Sequence, residues 1–289
     1  VLAELKSRQA IDHGFAQPIA GLIMDSSCEK LKAYDGKVPI EMVDGLSIKL
    51  TRLLKARRSA VGADSDGGAE VTGGYKYLLL MRLQERTLHD ALAHDHLSGC
   101  EWGLIRRIGI EVGKALDQLH SKQWVHGDLS PLSVVRVGAS WHLTHLDTAC
   151  RANKKFTVEH RLPSTAVCPP EFARYLLRAT DPLTGEISRS ELKPYTVTIA
   201  YDLWSFGCLL FQMVYGSPLW RTDKDHNIAA EADLQKLADW SSSHLEAAIT
   251  NAAAHPSPEQ LAAADLLKKL LDPDPFTRSG YFAQSSNAS

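Results

Sequence analysis

The stretch Val125-His126-Gly127-Asp128-Leu129-Ser130-Pro131-Leu132-Ser133-Val134-Val135 sets a glycine-flanked aspartate on a loop between apolar ends, and a second aspartate, Asp147, follows. Between them, Val134 to Val137 and Trp141 to Leu146 are short strand-like runs separated by Gly138-Ala139-Ser140, the pattern of a small hairpin. Asp128 and Asp147 therefore stand at its two flanks. Two acids on adjacent loops can converge on one metal-phosphate cluster, one steering a hydroxyl nucleophile and the other holding Mg²⁺ against a triphosphate. The plainer reading makes Asp128 a cap for the segment that follows it. The company of Asp147 favours the chemical reading.

Upstream, Leu104, Ile105, Ile108, Val112, Leu116 and Leu119 line one face of a helix predicted from Glu101 to Lys122, which delivers the chain to Asp128. Before it, Tyr75 to Met81 is an apolar run of strand length, Arg82 to Arg86 a polar connection, and Thr87 to Ala93 a helix. Leu2, Leu5 and Gln9-Ala10 have helical spacing within Val1 to Ile11, Asp12-His13-Gly14 ends that segment, and a strand is expected from Ile19 to Met24. Residues 25–74 have little periodicity apart from a possible amphipathic helix near Leu46 to Leu54, and Gly62 to Gly68 reads as an exposed loop. The first residues lack an initiator Met and carry charges where a signal peptide needs an apolar run, so they read as the edge of a fragment of a larger protein.

Downstream, Leu203 to Trp220 carries no charge, yet Gly207, Gln212, Gly216, Ser217 and Pro218 argue against a membrane span and for a helix buried on all sides. The rest is mostly helical, with loops at Asp181 to Glu191 and Ala254 to Pro258 and no internal repeat. With 289 residues and 44% hydrophobic content, the chain can bury the core of one large domain or two packed lobes. A formal charge of -2 supplies no basic stripe, so neither nucleic acid nor membrane insertion is implied, and specificity must come from pockets. Five cysteines form an odd set without paired ligand spacing, which fits thiols in a reducing compartment and not a disulfide or zinc framework.

Four segments then fall in one order. His126, Asp128, Leu129 and Pro131 fit the loop pattern HRDLKPxN; Cys168-Pro169-Pro170-Glu171 resembles an APE motif; Asp202-Leu203-Trp204-Ser205-Phe206-Gly207 resembles DxWSxG; and Leu271 to Arg278 resembles a closing arginine motif. Together they resemble the C-terminal lobe of a eukaryotic protein kinase, over most of the chain. The resemblance implies an α+β, protein-kinase-like fold. A mainly helical C-terminal lobe would span residues 83–289, after a partial β-containing N-terminal lobe over 1–82 with an insert at about 25–74. It also implies ATP and Mg²⁺ as cofactors, an intracellular setting, and a protein substrate or signalling partner. Among site residues, it implies Asp128 as hydroxyl-orienting base with Ser130 beside it. Asp147 and Ser133 would be metal ligands, Leu80, Met81 and Leu83 the hinge around adenine, and Val135 the pocket floor. Structural roles fall to Glu4 on a regulatory helix, to His126, to Asp202 bonded to the loop backbone, and to a buried Glu171 to Arg278 ion pair.

The departures are as specific as the matches. Gly127 stands for an arginine, Ser130 for a lysine, Ser133 for an asparagine, and Asp147-Thr148-Ala149 for Asp-Phe-Gly. No glycine-rich loop or phosphate-binding lysine precedes Glu4. Ser130 removes a charge from the transferred phosphate, a loss of about a few kcal/mol by analogy with other charge-stabilising donors. Ser133 is a shorter and weaker ligand for a hard cation. Thr157, Ser164 and Thr165 lie where activation-loop phosphorylation occurs, but Gly127 cannot receive the phosphate as arginine would. Three functions are in play. One is a protein kinase domain of the Ser/Thr type, indicated by Pro131 after the catalytic Asp. Another is a pseudokinase scaffold, favoured by Ser130, Ser133, Thr148 and Ala149. The third is a small-molecule phosphotransferase of the aminoglycoside or choline type, whose HGDxxxxN loop suits Gly127 but which lacks PPE and DxWSxG.

Overall fold

A computed structural model describes residues 8, 11, 14–23, 31–32, 78–156, 163–180, 192, 194–223, 226–253 and 255–283. The chain divides into two compact units, one drawn from residues 1–2 and 17–84, the other from 3–16 and 85–289.

The described part of the smaller unit is an antiparallel sheet of β1 (Ile19–Ile23), β2 (Leu31–Lys32) and β3 (Leu78–Met81), in the order β2-β1-β3. Ile23 faces Leu78 and Ile19 faces Met81, with a bulge between Ile19 and Gly21. The two longer strands lie where apolar runs predict them, and β2 has no signal in its sequence. At the exit of β3 the Arg82 N–H donates to the Pro18 carbonyl at 2.8 Å, and the buried Gln17 amide donates to the Arg82 carbonyl at 2.8 Å. The helix considered near Leu46 to Leu54, the loop at Gly62 to Gly68 and most of the first segment lie outside the described residues.

In the larger unit, β4 (Arg86–Thr87) leads into α1 (Leu88–His94) and then α2 (Trp102–Ser121). Thr87 starts α1 by a capping box: its hydroxyl accepts from the Asp90 N–H at 3.1 Å, and Asp90 accepts from the Thr87 N–H at 2.9 Å. On α2, Ile105, Ile108, Val112, Ala115, Leu116 and Leu119 are buried. Next come β5 (Trp124–Val125), β6 (Val134–Val137), β7 (Ser140–Leu143) and β8 (Cys150–Arg151). The β6–β7 hairpin turns through Gly138 at φ 64°, with Val137 opposite Ser140; Ser140 thus belongs to the second strand and not to the turn. That strand closes at Leu143, three residues short of the predicted Leu146, and Thr144 instead donates its N–H to the Ser133 carbonyl at 2.9 Å. β5 pairs with β8, and β9 (Lys155–Phe156) pairs with β10 (Tyr195–Thr196).

The helical remainder comprises α3 (Pro170–Leu177), α4 (Ile199–Tyr215), α5 (Glu231–Ala238), α6 (Ser242–Ala252), α7 (Pro258–Leu270) and α8 (Pro275–Ala283). Nearly every side chain of α4 is buried, with Trp204 at its centre packed edge-to-face on Trp240 at 5.6 Å. The apolar run continues to Trp220, but the helix does not: Gly216 adopts φ 84° and caps it. The C-terminal end of α7 comes so close that a Cβ on Gly207 would lie 2.7 Å from the side chain of Leu271, the residue that caps it. Among the described residues no helix is long and apolar enough to cross a membrane. Cys100, Cys150, Cys168 and Cys208 are all free thiols.

Candidate active site

The site is built in the larger unit by the two loops that flank the β6–β7 hairpin. Asp202, in the first turn of α4, fixes the first loop. One of its oxygens accepts from the His126 N–H at 2.7 Å and the other from the Gly127 N–H at 2.9 Å, while His120 from the last turn of α2 lies 2.9 Å from the first. Complete burial would raise this carboxyl, but the His120 bond, the His120 and His126 rings and the Gly127 N–H together hold it below the ordinary aspartate value. Gly127 has φ 79°, and a Cβ there would meet the Thr148 carbonyl oxygen at 3.2 Å. This backbone favours glycine where the kinase pattern has arginine.

The His126 ring is occupied on both sides: Nδ1 accepts from the Asp128 N–H at 3.3 Å and Nε2 donates to the Thr144 carbonyl at 3.0 Å. With both ring nitrogens held by main-chain groups, the side chain is a brace and not a relay. Asp128 is 3% exposed, and one carboxylate oxygen accepts from the Ser164 N–H at 2.9 Å. Ser133 turns inward: its hydroxyl accepts from the Ser130 N–H at 2.8 Å and donates to the Ser130 carbonyl at 3.0 Å, closing the turn. The Ser130 hydroxyl makes no hydrogen bond among the described residues.

On the second loop Asp147 is exposed between buried Leu146 and buried Thr148. The Thr148 hydroxyl lies 3.0 Å from the His126 carbonyl and 3.1 Å from that of His145, so it bridges one loop to the other. Among the described residues no three His, Cys, Asp or Glu side chains gather in a way that could hold a metal. Mg²⁺ needs no such cage, because it binds through one or two carboxylates plus phosphate oxygens. Asp147 fits that donor set, whereas the Ser133 hydroxyl is already engaged. Thiol chemistry is disfavoured nearby, as burial and then Asp202 push the Cys150 thiol up to about 12.

Arg278 is fully buried and donates to Glu171, to the Ala200 carbonyl at 2.9 Å and to the Asp272 carbonyl at 2.5 Å, with its guanidinium 5.3 Å from the Trp204 ring. Burial raises the Glu171 carboxyl and lowers Arg278 despite their attraction. Val135 is fully buried in β6, opposite Thr87 and His142. In the smaller unit Leu80 sits in β3 opposite Gly21, Met81 is 36% exposed and Leu83 88% exposed. The Leu83 peptide groups make no hydrogen bond among the described residues. Glu4 and Thr157 lie outside those residues.

Beside Asp128 a cleft holds about 560 Å³ of empty space, its open mouth included. It begins at Ser130 and Ser164 and is shared by His89 and His226, whose rings meet edge-to-face at 5.3 Å. Thr165, a phosphorylation candidate by sequence, is buried and bonded: Asn227 Oδ1 accepts from its N–H at 3.2 Å, and its hydroxyl accepts from the Ile228 N–H at 2.8 Å. His120, Asn227, His89 and His226 escaped the sequence reading. Only His120, six residues before His126, stood close enough in the chain to be suspected.

A family model described as protein kinase domain matches residues 71–287. Among curated proteins of Saccharomyces cerevisiae, the glycogen synthase kinase-3 homolog YGK3 is 28% identical over 46% of this chain and 30% of its own. The serine/threonine-protein kinase PKH2 is 28% identical over 42% of this chain and 11% of its own. The matches thus span less than a third of either relative.

Proposed function

Because the chain belongs to the protein kinase domain family, we propose that its site carries out ATP- and Mg²⁺-dependent phosphoryl transfer to serine or threonine hydroxyls of a protein, weakly in this chain. The observation that carries the reading is the pinned loop: Asp128 is held by the Ser164 N–H on a backbone clamped to Asp202. A carboxylate so placed orients the substrate hydroxyl and takes its proton as that oxygen bonds to the γ-phosphorus and ADP departs. Asp147 would hold Mg²⁺, which when bound neutralises charge on the phosphates. In the smaller unit, the open peptide groups of Leu83, with Leu80 and Met81 before it, suit the edge of an adenine ring. The weakness follows from chemistry, since Ser130 brings no positive charge to the transferred group and the Ser133 hydroxyl is spent on its own loop.

A binding module without turnover is the second reading, and the engaged hydroxyls of Ser133 and Thr148 favour it. Incubation with Mg²⁺ or Mn²⁺, labelled ATP and mixed protein substrates separates the two. Slow transfer, abolished in Asp128→Asn and in Asp147→Asn, is expected of the enzyme. Nucleotide binding with no transfer above either variant would leave the scaffold.

A further inference from the structure

Among the described residues the cleft beside Asp128 is lined by no carboxylate, although it is otherwise polar at one end. There the Ser130 and Ser164 hydroxyls and the His89 and His226 rings make no hydrogen bond with the described residues, so all can donate to a ligand. The carboxylates beside the two rings are turned to other work. Asp90 caps α1 through the Thr87 N–H and hydroxyl, and Asp223 accepts from the Asn227 N–H at 2.9 Å. The backbone beneath each ring is fixed differently: the His89 main-chain N–H donates to the Pro131 carbonyl at 3.0 Å, and His226 has a left-handed backbone at φ 60°. Both are half-buried, and they converge from different parts of the chain.

Three kinds of side chain could enter. A lysine or arginine would lose water and meet no carboxylate among the described lining residues. An apolar side chain would bury hydroxyls and rings without partners. An anion satisfies them, because it accepts the hydrogen bonds that the hydroxyls and the ring N–H groups donate. We propose that His89 and His226 select a phosphoacceptor segment bearing an anionic side chain, aspartate, glutamate or phosphoserine, close to the acceptor hydroxyl. This rests on the phosphoryl-transfer reading only for the identity of the acceptor; the selectivity itself is a matter of binding.

Fluorescence anisotropy with the purified chain tests it, using serine-centred peptides whose flanking residues are glutamate, phosphoserine, alanine or arginine. Glutamate and phosphoserine peptides should bind at least tenfold tighter than the alanine peptide, with arginine weakest. A gain confined to phosphoserine would assign the pocket to phosphate and not to carboxylate. In His89→Ala/His226→Ala the advantage should vanish while the melting temperature holds, and His89→Gln/His226→Gln should keep only part of it. Binding of both the glutamate and the phosphoserine peptide no tighter than that of the alanine peptide, a preference for arginine, or an advantage that survives the double alanine variant would overturn the proposal. Label transfer measured in parallel keeps the two claims apart. Anionic selectivity without transfer supports the pocket and removes the enzyme, whereas transfer without selectivity does the reverse.

Discussion

Ser133 illustrates how one side chain can hold two incompatible jobs. As a metal ligand it would point toward phosphates; in the fold it closes the turn on Ser130. Ser133→Ala should therefore destabilise the protein by about 1–3 kcal/mol in urea titration, since the Ser130 N–H is left in a buried loop without an acceptor. A ligand-only serine would leave the urea midpoint where it was. At Ser130 the opposite experiment is informative. Ser130→Lys places an ammonium at the cleft and should raise phosphoryl transfer by about tenfold or more, the scale on which charge-stabilising donors act. An unchanged rate would mean that the lost charge is not what limits this site.

At the level of elements, glycines on two helices make contrasting forecasts. Gly207 on α4 faces Leu271 and Leu270, and an added methyl would overlap them. Gly207→Ala gains about 1 kcal/mol of helix propensity but should lose more to overpacking, about 1–3 kcal/mol. Gly109 on α2 has nothing within 4 Å of such a Cβ, and Gly109→Ala should stabilise by about 0.5–1 kcal/mol. Thermal melts of the two variants should move in opposite directions. The α2 helix was legible in the sequence because one-sided burial writes a period into it, and the hairpin and α4 because their apolar runs are bounded by turn residues. Strands such as β2 and β8 were not, since two residues carry no period. Asp202 and Asp128 could be located by motif, but their partners could not: His120 and Ser164 reach them through contacts that only the folded chain creates.

Across the whole molecule, two buried carboxylates set opposite slopes of stability against pH. Asp202 titrates below 3.8 when folded, so its contribution is complete above the unfolded value and is lost as pH falls through the folded one. Glu171 titrates above 4.5, mainly through burial, so its contribution is complete below the unfolded value and is lost as pH rises through the folded one. Denaturant midpoints from pH 3 to 7 should show Asp202→Asn flattening the acid limb and Glu171→Gln flattening the fall above about pH 4.5. Neither residue lines the cleft beside Asp128. The contact of Gly207 with Leu271 carries this separation into descent. A lineage kept for its shape alone would be free to drift at Asp147 while that glycine stays fixed, so the substitutions each position tolerates would record which of the two, turnover or form, selection has been guarding.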